Sequence, residues 1–263
     1  MCVRRYVGVV GGSNPASPTH APLGIALRVA PTVLGADHGR MSSIPVSASS
    51  EAVVGWRAWN LTDDDDAGPM LWPTGSGVDP WPHRRPTEAR CAVPFLLRGP
   101  RPHDAPNPEC RCGIYAARSL QSVGTRRPAW PPPPVIGRAS LWGALIEHEL
   151  GWRGQFGYPN RLGLACVMCA WFESGRGGVA VVHTFGRRLY TLCDRHRGGI
   201  EVPDGRRTRP SGIDPRALHS RLLDAYAVDL LPAERLEPLY RRSRAAAAPS
   251  YVPSIRAVPL GDA

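Results

Sequence analysis

The sequence contains no lysine, and all 32 of its basic residues are arginine. This absence excludes a Walker-type phosphate loop, a Schiff base and a lysine general base, because each of them needs a primary amine. No stretch approaches the ~20 consecutive apolar residues of a membrane-spanning helix. We therefore expect a protein with no membrane contact and no lysine-dependent chemistry.

Aromatic residues are also few, at 7% of the sequence, with 4 phenylalanines and 8 tryptophans. Glycine and proline are abundant, with 28 and 29 residues, so much of the chain must be turn or loop. The composition predicts a modest core in which tryptophans bury most of the area per residue. The formal net charge of +10 favours anionic partners such as nucleic acid, although the arginines are scattered along the chain.

Six of the seven cysteines fall into two groups, and one histidine completes each group to four metal-type ligands. Four cysteine and histidine ligands are the stoichiometry of a closed, tetrahedral structural zinc site. The pattern therefore predicts two bound Zn²⁺ ions and a reducing, cytoplasmic location, where such spacings indicate metal sites rather than disulfides. The first predicted site consists of Cys91, His103, Cys110 and Cys112, and the second of Cys166, Cys169, Cys193 and His196.

The second group has the more regular spacing. Cys166 and Cys169 form one pair, Cys193 and His196 form the other, and each pair has a two-residue gap that lets both side chains enter one tetrahedron. Between the pairs, the pattern predicts a hairpin with strands at 179–185 and 189–192. This layout resembles a zinc ribbon in a generic way. The alternative, a redox-active CxxC, would need a thioredoxin-like βαβ pattern, which the sequence does not show.

The first group has irregular spacing, with a proline-rich loop between His103 and the Cys110–Cys112 pair. A CxC pair can supply two thiolates to one metal, so we interpret this group as a second structural site. The alternatives are buried or disulfide-linked thiols, or a catalytic zinc. A catalytic site is disfavoured because the HExxH and deaminase signatures are absent and four protein ligands leave no position for water.

The predicted fold class is α+β, mainly β, with a small zinc-stapled β-domain followed by a ribbon and a short C-terminal helical pair. Residues 135–149 have a strand-like pattern, and Asp214 followed by Pro215 predicts a helix start. Met41 offers a later start than Met1. The expected segments are a disordered N-terminal extension at 1–50, a β-rich domain with the first zinc loop at 51–160, a ribbon-like module at 161–205, a helical segment at 206–242 and a disordered tail at 243–263.

A group of three ionisable residues, Glu147, His148 and Glu149, raises the possibility of catalysis. On a strand, consecutive side chains face opposite sides, so the two glutamates would share a face that excludes His148. We therefore favour a histidine at the surface or core edge, and keep an enzyme with its active site in a β-domain cleft as the alternative function.

Five motifs lie between residues 53 and 160: GWRAW from Gly55, HDAP from His103, CRCGIYA from Cys110, LWG from Leu141 and EHELGWR from Glu147. Together they resemble a family of uncharacterised actinobacterial and phage-borne proteins. The resemblance implies an intracellular actinobacterial protein and carries over no activity and no functional residues.

The function that these patterns favour is a non-enzymatic zinc-binding module that contacts nucleic acid or a protein partner. The charge of the predicted ribbon points to nucleic acid, because arginine forms bidentate contacts with phosphate. The candidate contact residues are Arg176, Arg187, Arg188, Arg195 and Arg197.

Overall fold

The computed structural model describes residues 47–74, 79–91, 103–123, 132–172, 178–202, 205–236 and 256–257. The fold is mainly β with a large antiparallel sheet, which confirms the predicted class. The predicted N-terminal extension up to residue 46, and the predicted tail apart from residues 256–257, lie outside the described residues. Within the described part of the chain, no helix is long and apolar enough to span a membrane.

The described residues form twelve strands and three α-helices, with short 3-10 turns between them. The strands are β1 (Ser47–Asp64), β2 (Gly68–Pro73), β3 (Thr87–Glu88), β4 (Ile114–Ala117), β5 (Val135–His148), β6 (Gly151–Leu164), β7 (Val181–Phe185), β8 (Arg188–Leu192), β9 (Ile200–Glu201), β10 (Arg209–Pro210), β11 (Asp229–Leu230) and β12 (Arg256–Ala257), and the helices are α1 (Leu120–Val123), α2 (Val167–Trp171) and α3 (Pro215–Tyr226).

Four strands close into a small barrel. β1 pairs with β5, β5 pairs with β6 along a hairpin, β6 pairs with β4, and β4 returns to β1 through Trp56 and Ala117. The closure requires close backbone approach: a Cβ atom at Gly55 would lie 2.7 Å from the Cβ of Ala116. A strand over residues 135–149 was expected, and β5 confirms it to His148.

The sheet continues beyond the barrel into the segment of the second cysteine group. β8 pairs with β1 at Leu61 and Leu189, and β7 and β8 form the hairpin that the sequence predicts. The strands before and after residue 160 therefore belong to one sheet. The division of the chain into separate modules at that residue stays a prediction. At the other end of the chain, Arg256–Ala257 pairs with Ile200–Glu201.

Tryptophans occupy the centre of the main core, as the composition predicts. The Trp59 and Trp81 rings are buried and meet edge to face, with centroids 5.4 Å apart. α3 covers this core with Leu218, Leu222 and Tyr226, and the Tyr226 hydroxyl donates to the Trp81 carbonyl oxygen at 2.8 Å.

The start of α3 was predicted correctly. The Asp214 side chain caps the helix by accepting a hydrogen bond of 2.7 Å from the Ala217 amide, and Pro215 is the first helical residue. The first part of the second predicted helix forms a 3-10 turn, Ala233–Leu236. Residues 237–242 lie outside the described part of the chain.

Candidate metal centres

The second cysteine group is brought together in the structure. The ligand atoms of Cys166, Cys169, Cys193 and His196 lie within 4.8 Å of one another, and all four residues are buried. The His196 Nδ1 atom is 3.3 to 3.5 Å from the three sulfurs, and the Cys169 and Cys193 sulfurs are 3.7 Å apart.

These distances are close to the edges of a zinc tetrahedron. With Zn–S bonds of about 2.3 Å and Zn–N bonds of about 2.0–2.1 Å, a tetrahedron has edges of about 3.8 Å between two sulfurs and about 3.6 Å between sulfur and nitrogen. The cluster could therefore hold one metal ion with little movement of its ligand atoms.

The two ligand pairs lie directly after two strands, the first pair after β6 and the second pair after β8. Cys166 follows β6, and Cys169 lies in α2, which begins at Val167. The Thr191 hydroxyl of β8 donates to the Ala165 carbonyl oxygen at 2.5 Å, so the end of β6 is tied to the hairpin. Cys193 and His196 flank and close a 3-10 turn, Asp194–His196, directly after β8. The first pair thus consists of an extended N-cap residue, Cys166, and a helical residue, Cys169, and the resemblance to a zinc ribbon stays a prediction.

The three thiols of this cluster differ in how readily they ionise. A hydrogen bond from the Cys169 side chain lowers the pKa of Cys166 to about 5. The same hydrogen bond raises the pKa of Cys169, and burial raises the pKa of Cys193. One thiolate forms readily, while the second and third are opposed by burial and by like charge. A divalent metal supplies the positive charge that three adjacent thiolates need.

The first cysteine group is also assembled, with half-buried ligands. The ligand atoms of Cys91, His103, Cys110 and Cys112 lie within 4.8 Å of one another. The Cys91 and Cys110 sulfurs are 3.7 Å apart, far longer than a disulfide bond of about 2.05 Å. The Cys112 sulfur lies 3.4 Å from the His103 Nε2 atom. This group could also hold one metal ion, and its thiols are free in the structure.

The thiols of the first group differ in acidity in the same way. Burial raises the pKa of Cys112 to about 11. Burial also opposes ionisation of Cys110, but hydrogen bonds from the Cys112 amide and from neighbouring ligand side chains outweigh it and lower that pKa to about 7. Again one thiolate is favoured, and further ionisation requires an added positive charge.

One arginine organises the loop that carries the Cys110–Cys112 pair. The Arg153 guanidinium of β6 donates to the carbonyl oxygens of Asn107 (3.3 Å), Cys110 and Cys112 (3.1 Å). Gly113 follows the pair with φ +118°, and a Cβ atom there would lie 3.2 Å from the Arg153 Cβ. Sequence reasoning missed Arg153, because its partners are about 40 residues away and no local pattern connects them.

A buried histidine anchors the loop after the second site. The His183 ring of β7 lies 3.1 Å from the Arg197 carbonyl oxygen through Nε2 and 3.2 Å from the Thr208 hydroxyl through Nδ1. The Thr208 hydroxyl accepts the Ile200 amide hydrogen at 2.9 Å, so it is free to donate to Nδ1. This arrangement suits a neutral imidazole, and burial lowers the pKa of His183 accordingly.

The candidate nucleic-acid arginines are distributed over both ends of the hairpin. Arg187 and Arg188 are exposed at its turn, whereas Arg195 and Arg197 are exposed beside the second metal centre. Arg188 is the first residue of β8, and the four steps from it to Leu192 separate the two ends of the strand by about 13 Å. The Arg197 guanidinium is 3.2 Å from the Asp194 carboxylate. Arg176 lies outside the described residues.

Arg187 also lies near an acidic turn. Backbone hydrogen bonds from Ala67 and Asp66 lower the pKa of Asp64, and the charge of Arg187 lowers it further. Arg188 is paired with Thr62 across β1 and β8. The basic residues of the β7–β8 turn therefore lie near acidic residues of the β1–β2 turn.

The alternative catalytic group is engaged in surface contacts. The Glu147 carboxylate forms an ion pair with Arg118, whose guanidinium lies 4.6 Å from the centre of the Trp152 ring. The His148 ring packs near Tyr115, with centroids 6.0 Å apart. Glu149 is exposed in the turn between β5 and β6. The two depressions described on the surface are lined by other residues.

Comparison of the chain with protein-family models, with curated proteins and with solved structures gives no match. The resemblance to the uncharacterised actinobacterial and phage-borne family therefore stays a prediction.

Proposed function

We propose that this protein is a non-enzymatic, two-zinc β-protein whose metal ions staple its loops to the barrel and whose arginine-rich surface contacts nucleic acid. The observation that carries the metal assignment is the approach of four cysteine and histidine ligand atoms to within 4.8 Å of one another in each of two separate clusters. Zn²⁺ is the ion that prefers Cys₃His ligands in this geometry. With four protein ligands at each ion, both sites are of the structural type.

The metal content of the purified full chain tests this assignment. We expect two zinc ions per chain by elemental analysis, and visible absorption typical of tetrahedral cobalt after Co²⁺ substitution. Cys112→Ser and Cys193→Ser should each reduce the content to about one ion. A wild-type content below one zinc per chain would contradict the proposal.

Nucleic acid is the partner that the charge favours over a protein. The formal charge is +10, and arginine is the side chain best suited to bidentate phosphate contacts. Such binding must weaken steeply with added salt, because phosphate contacts release counterions. A cytoplasmic location belongs to the same proposal, since free cysteines in metal-type spacings suit a reducing compartment.

A titration of labelled single- and double-stranded oligonucleotides at low salt tests the partner. We expect salt-sensitive binding at micromolar concentrations. Arg187→Ala with Arg188→Ala measures the contribution of the hairpin turn, and Arg195→Ala with Arg197→Ala measures that of the opposite end. If no oligonucleotide binds at tens of micromolar, a protein partner replaces nucleic acid as the proposed ligand.

A further inference from the structure

The outer side of the β5–β6 hairpin carries a depression of about 490 Å³ that none of the predicted sites uses. It is shallow and open to solvent. It lies between the two strands, the chain segment before β3, and the end of α3. The residues whose side chains give it chemical character are Arg84, Arg85, Ser140, Trp142, Tyr158 and Asn160.

Two aromatic residues, Trp142 and Tyr158, line this depression, and Phe156 lies beside Trp142. Trp142 and Phe156 face each other across β5 and β6, with near-parallel rings whose centroids are 6.2 Å apart. Both rings are half-buried, so part of each remains open to solvent. Tyr158 is fixed in place, because its hydroxyl donates to the Tyr226 carbonyl oxygen at 2.6 Å. A planar ligand can stack on such a surface without displacing any core residue.

The charge of the depression is of one sign. Arg84 and Arg85 line it, and none of the described residues that line it is acidic. The Arg84 guanidinium donates to the Asp224 carbonyl oxygen at the end of α3, at 3.1 Å, whereas Arg85 is exposed. Glu88, opposite Phe156, is the neighbouring acidic residue on β3. The lining therefore suits an anion that also presents a flat face.

The backbone around the depression is held in an unusual conformation. Among the described residues, the non-glycine positions with positive φ are Arg84 (φ 53°) and Ala227 (φ 49°), and both line the depression. Ala227 is accounted for as the left-handed residue that ends α3. The left-handed backbone at Arg84 costs stability, and strained residues of this kind cluster at binding sites.

The basic and aromatic lining continues along β5 beyond the depression. Arg138, Ser140 and Trp142 alternate with the buried Ala139 and Leu141, so they share the outer side of the strand. The Arg138 guanidinium lies 5.6 Å from the centre of the Trp56 ring on β1. An arginine–aromatic pair therefore lies beside the depression, which suits an extended chain better than a single nucleotide.

We propose that this outer β5–β6 surface binds single-stranded nucleic acid, with an unpaired base stacked on Trp142 and the phosphate backbone contacted by Arg85. The inference rests on the proposed nucleic-acid function and assigns its site to the barrel instead of the β7–β8 hairpin. Stacking requires an unpaired base, so single strands must bind more tightly than duplexes of the same length.

Fluorescence anisotropy with a short labelled oligothymidylate and with a matched duplex tests the site. Trp142→Ala should weaken single-strand binding by roughly tenfold or more, and Trp142→Phe should retain most of the affinity because a ring remains. Arg85→Ala should reduce the slope of log affinity against log salt concentration by about 0.7, the value for one lost phosphate contact on a single strand. A purely structural role for these residues would leave that slope unchanged.

Arg216→Ala is the matched control, because Arg216 is exposed at the opposite end of α3. Zinc content and melting temperature establish that each variant is folded. If Trp142→Ala does not fold, the affinity and salt slope of Arg85→Ala decide the question. Binding by the wild type that neither Trp142→Ala nor Arg85→Ala changes would overturn this site and leave the proposed function standing. Absence of any oligonucleotide binding by the wild type would overturn both.

Discussion

The guanidinium of Arg153 on β6 donates to the backbone carbonyl oxygen of Cys112, 3.1 Å away, and so ties the first metal loop to the barrel. The same nitrogen reaches the carbonyl oxygens of Asn107 and Cys110. An ion in this site would therefore depend on a residue that is not a ligand. Outer contacts of this kind typically change metal affinity by about 10–100-fold.

We predict that Arg153→Ala loses zinc from the first site and retains it in the second. The loop would keep its ligands but lose the bonds that orient Cys110 and Cys112. The measurement is zinc content per chain after equilibration with a chelator of known affinity, with about one ion expected against two in the wild type. Arg161→Ala is the control on the same strand, since Arg161 contacts Asp229 at the surface. Equal zinc retention in both variants would contradict the positioning role.

We predict that the two sites release zinc at different rates. The ligands of the first site are half-buried, whereas all four ligands of the second are buried. Release into a chromogenic chelator should therefore follow two phases, with the fast phase assigned to the first site. Cys112→Ser should remove the fast phase and leave the slow one. A single phase in the wild type would show that burial does not control the exchange.

We predict that loss of the second zinc destabilises the molecule more than loss of the first. Cys166, Cys169 and Cys193 belong to a buried cluster with Tyr190 and Ile200, so this metal and the surrounding packing form one unit. Apparent binding energies of structural zinc, about 10–16 kcal/mol, are as large as the whole stability of a typical domain.

Cys193→Ser and Cys112→Ser provide the comparison for this third prediction. Hydrogen exchange should show loss of protection over residues 161–200 in Cys193→Ser, and local loss around residues 103–113 in Cys112→Ser. Thermal melts should rank the variants in the same order. A lower melting temperature for Cys112→Ser than for Cys193→Ser would show that the first zinc contributes more stability than the second.

We predict that His219 contributes to loss of stability at acidic pH. Burial lowers the pKa of this α3 residue below its ordinary value, and its Nε2 atom lies 3.4 Å from the Leu162 carbonyl oxygen. The folded state keeps the imidazole neutral, whereas the unfolded chain binds a proton below about pH 6.5. Stability should therefore fall as pH decreases from about 6.5 toward the folded pKa, with a slope of at most about 1.4 kcal/mol per pH unit from this group.

Denaturant unfolding between pH 7.5 and 5.5 in excess zinc measures this effect. His219→Gln cannot bind the proton, so its stability should change less with pH than that of the wild type. The difference between the two curves isolates His219 from protonation of the metal ligands. Parallel curves would show that His219 has the same pKa in both states.

Local patterns were sufficient to predict several parts of the molecule. The ligand sets of both metal centres followed from spacing and stoichiometry, and each set of four is brought together in the structure. The strand that ends at His148, the β7–β8 hairpin and the helix start at Asp214 also agree with the structure. In each case the signal lies within a few residues, where turn, cap and alternation preferences act.

Other parts could not be predicted, because they depend on residues far apart in the chain. Closure of the barrel through Trp56 and Ala117, and the pairing of β8 with β1, have no local signature. No local pattern shows that the four described candidate arginines lie at both ends of β8. Arg153 and His183 gained their roles only through backbone carbonyls of distant loops.

The sequence by itself determined the chemical groups of this protein: two sets of four potential metal ligands, a lysine-free basic composition and a mainly β fold. Only the tertiary structure decided that one ligand set is buried and the other half-buried. It also decided that Trp142, Tyr158, Arg84 and Arg85 line one depression. The physical reason is that residue type and spacing act locally, whereas burial and convergence follow from which strands pair, and that pairing is set by packing of the whole chain.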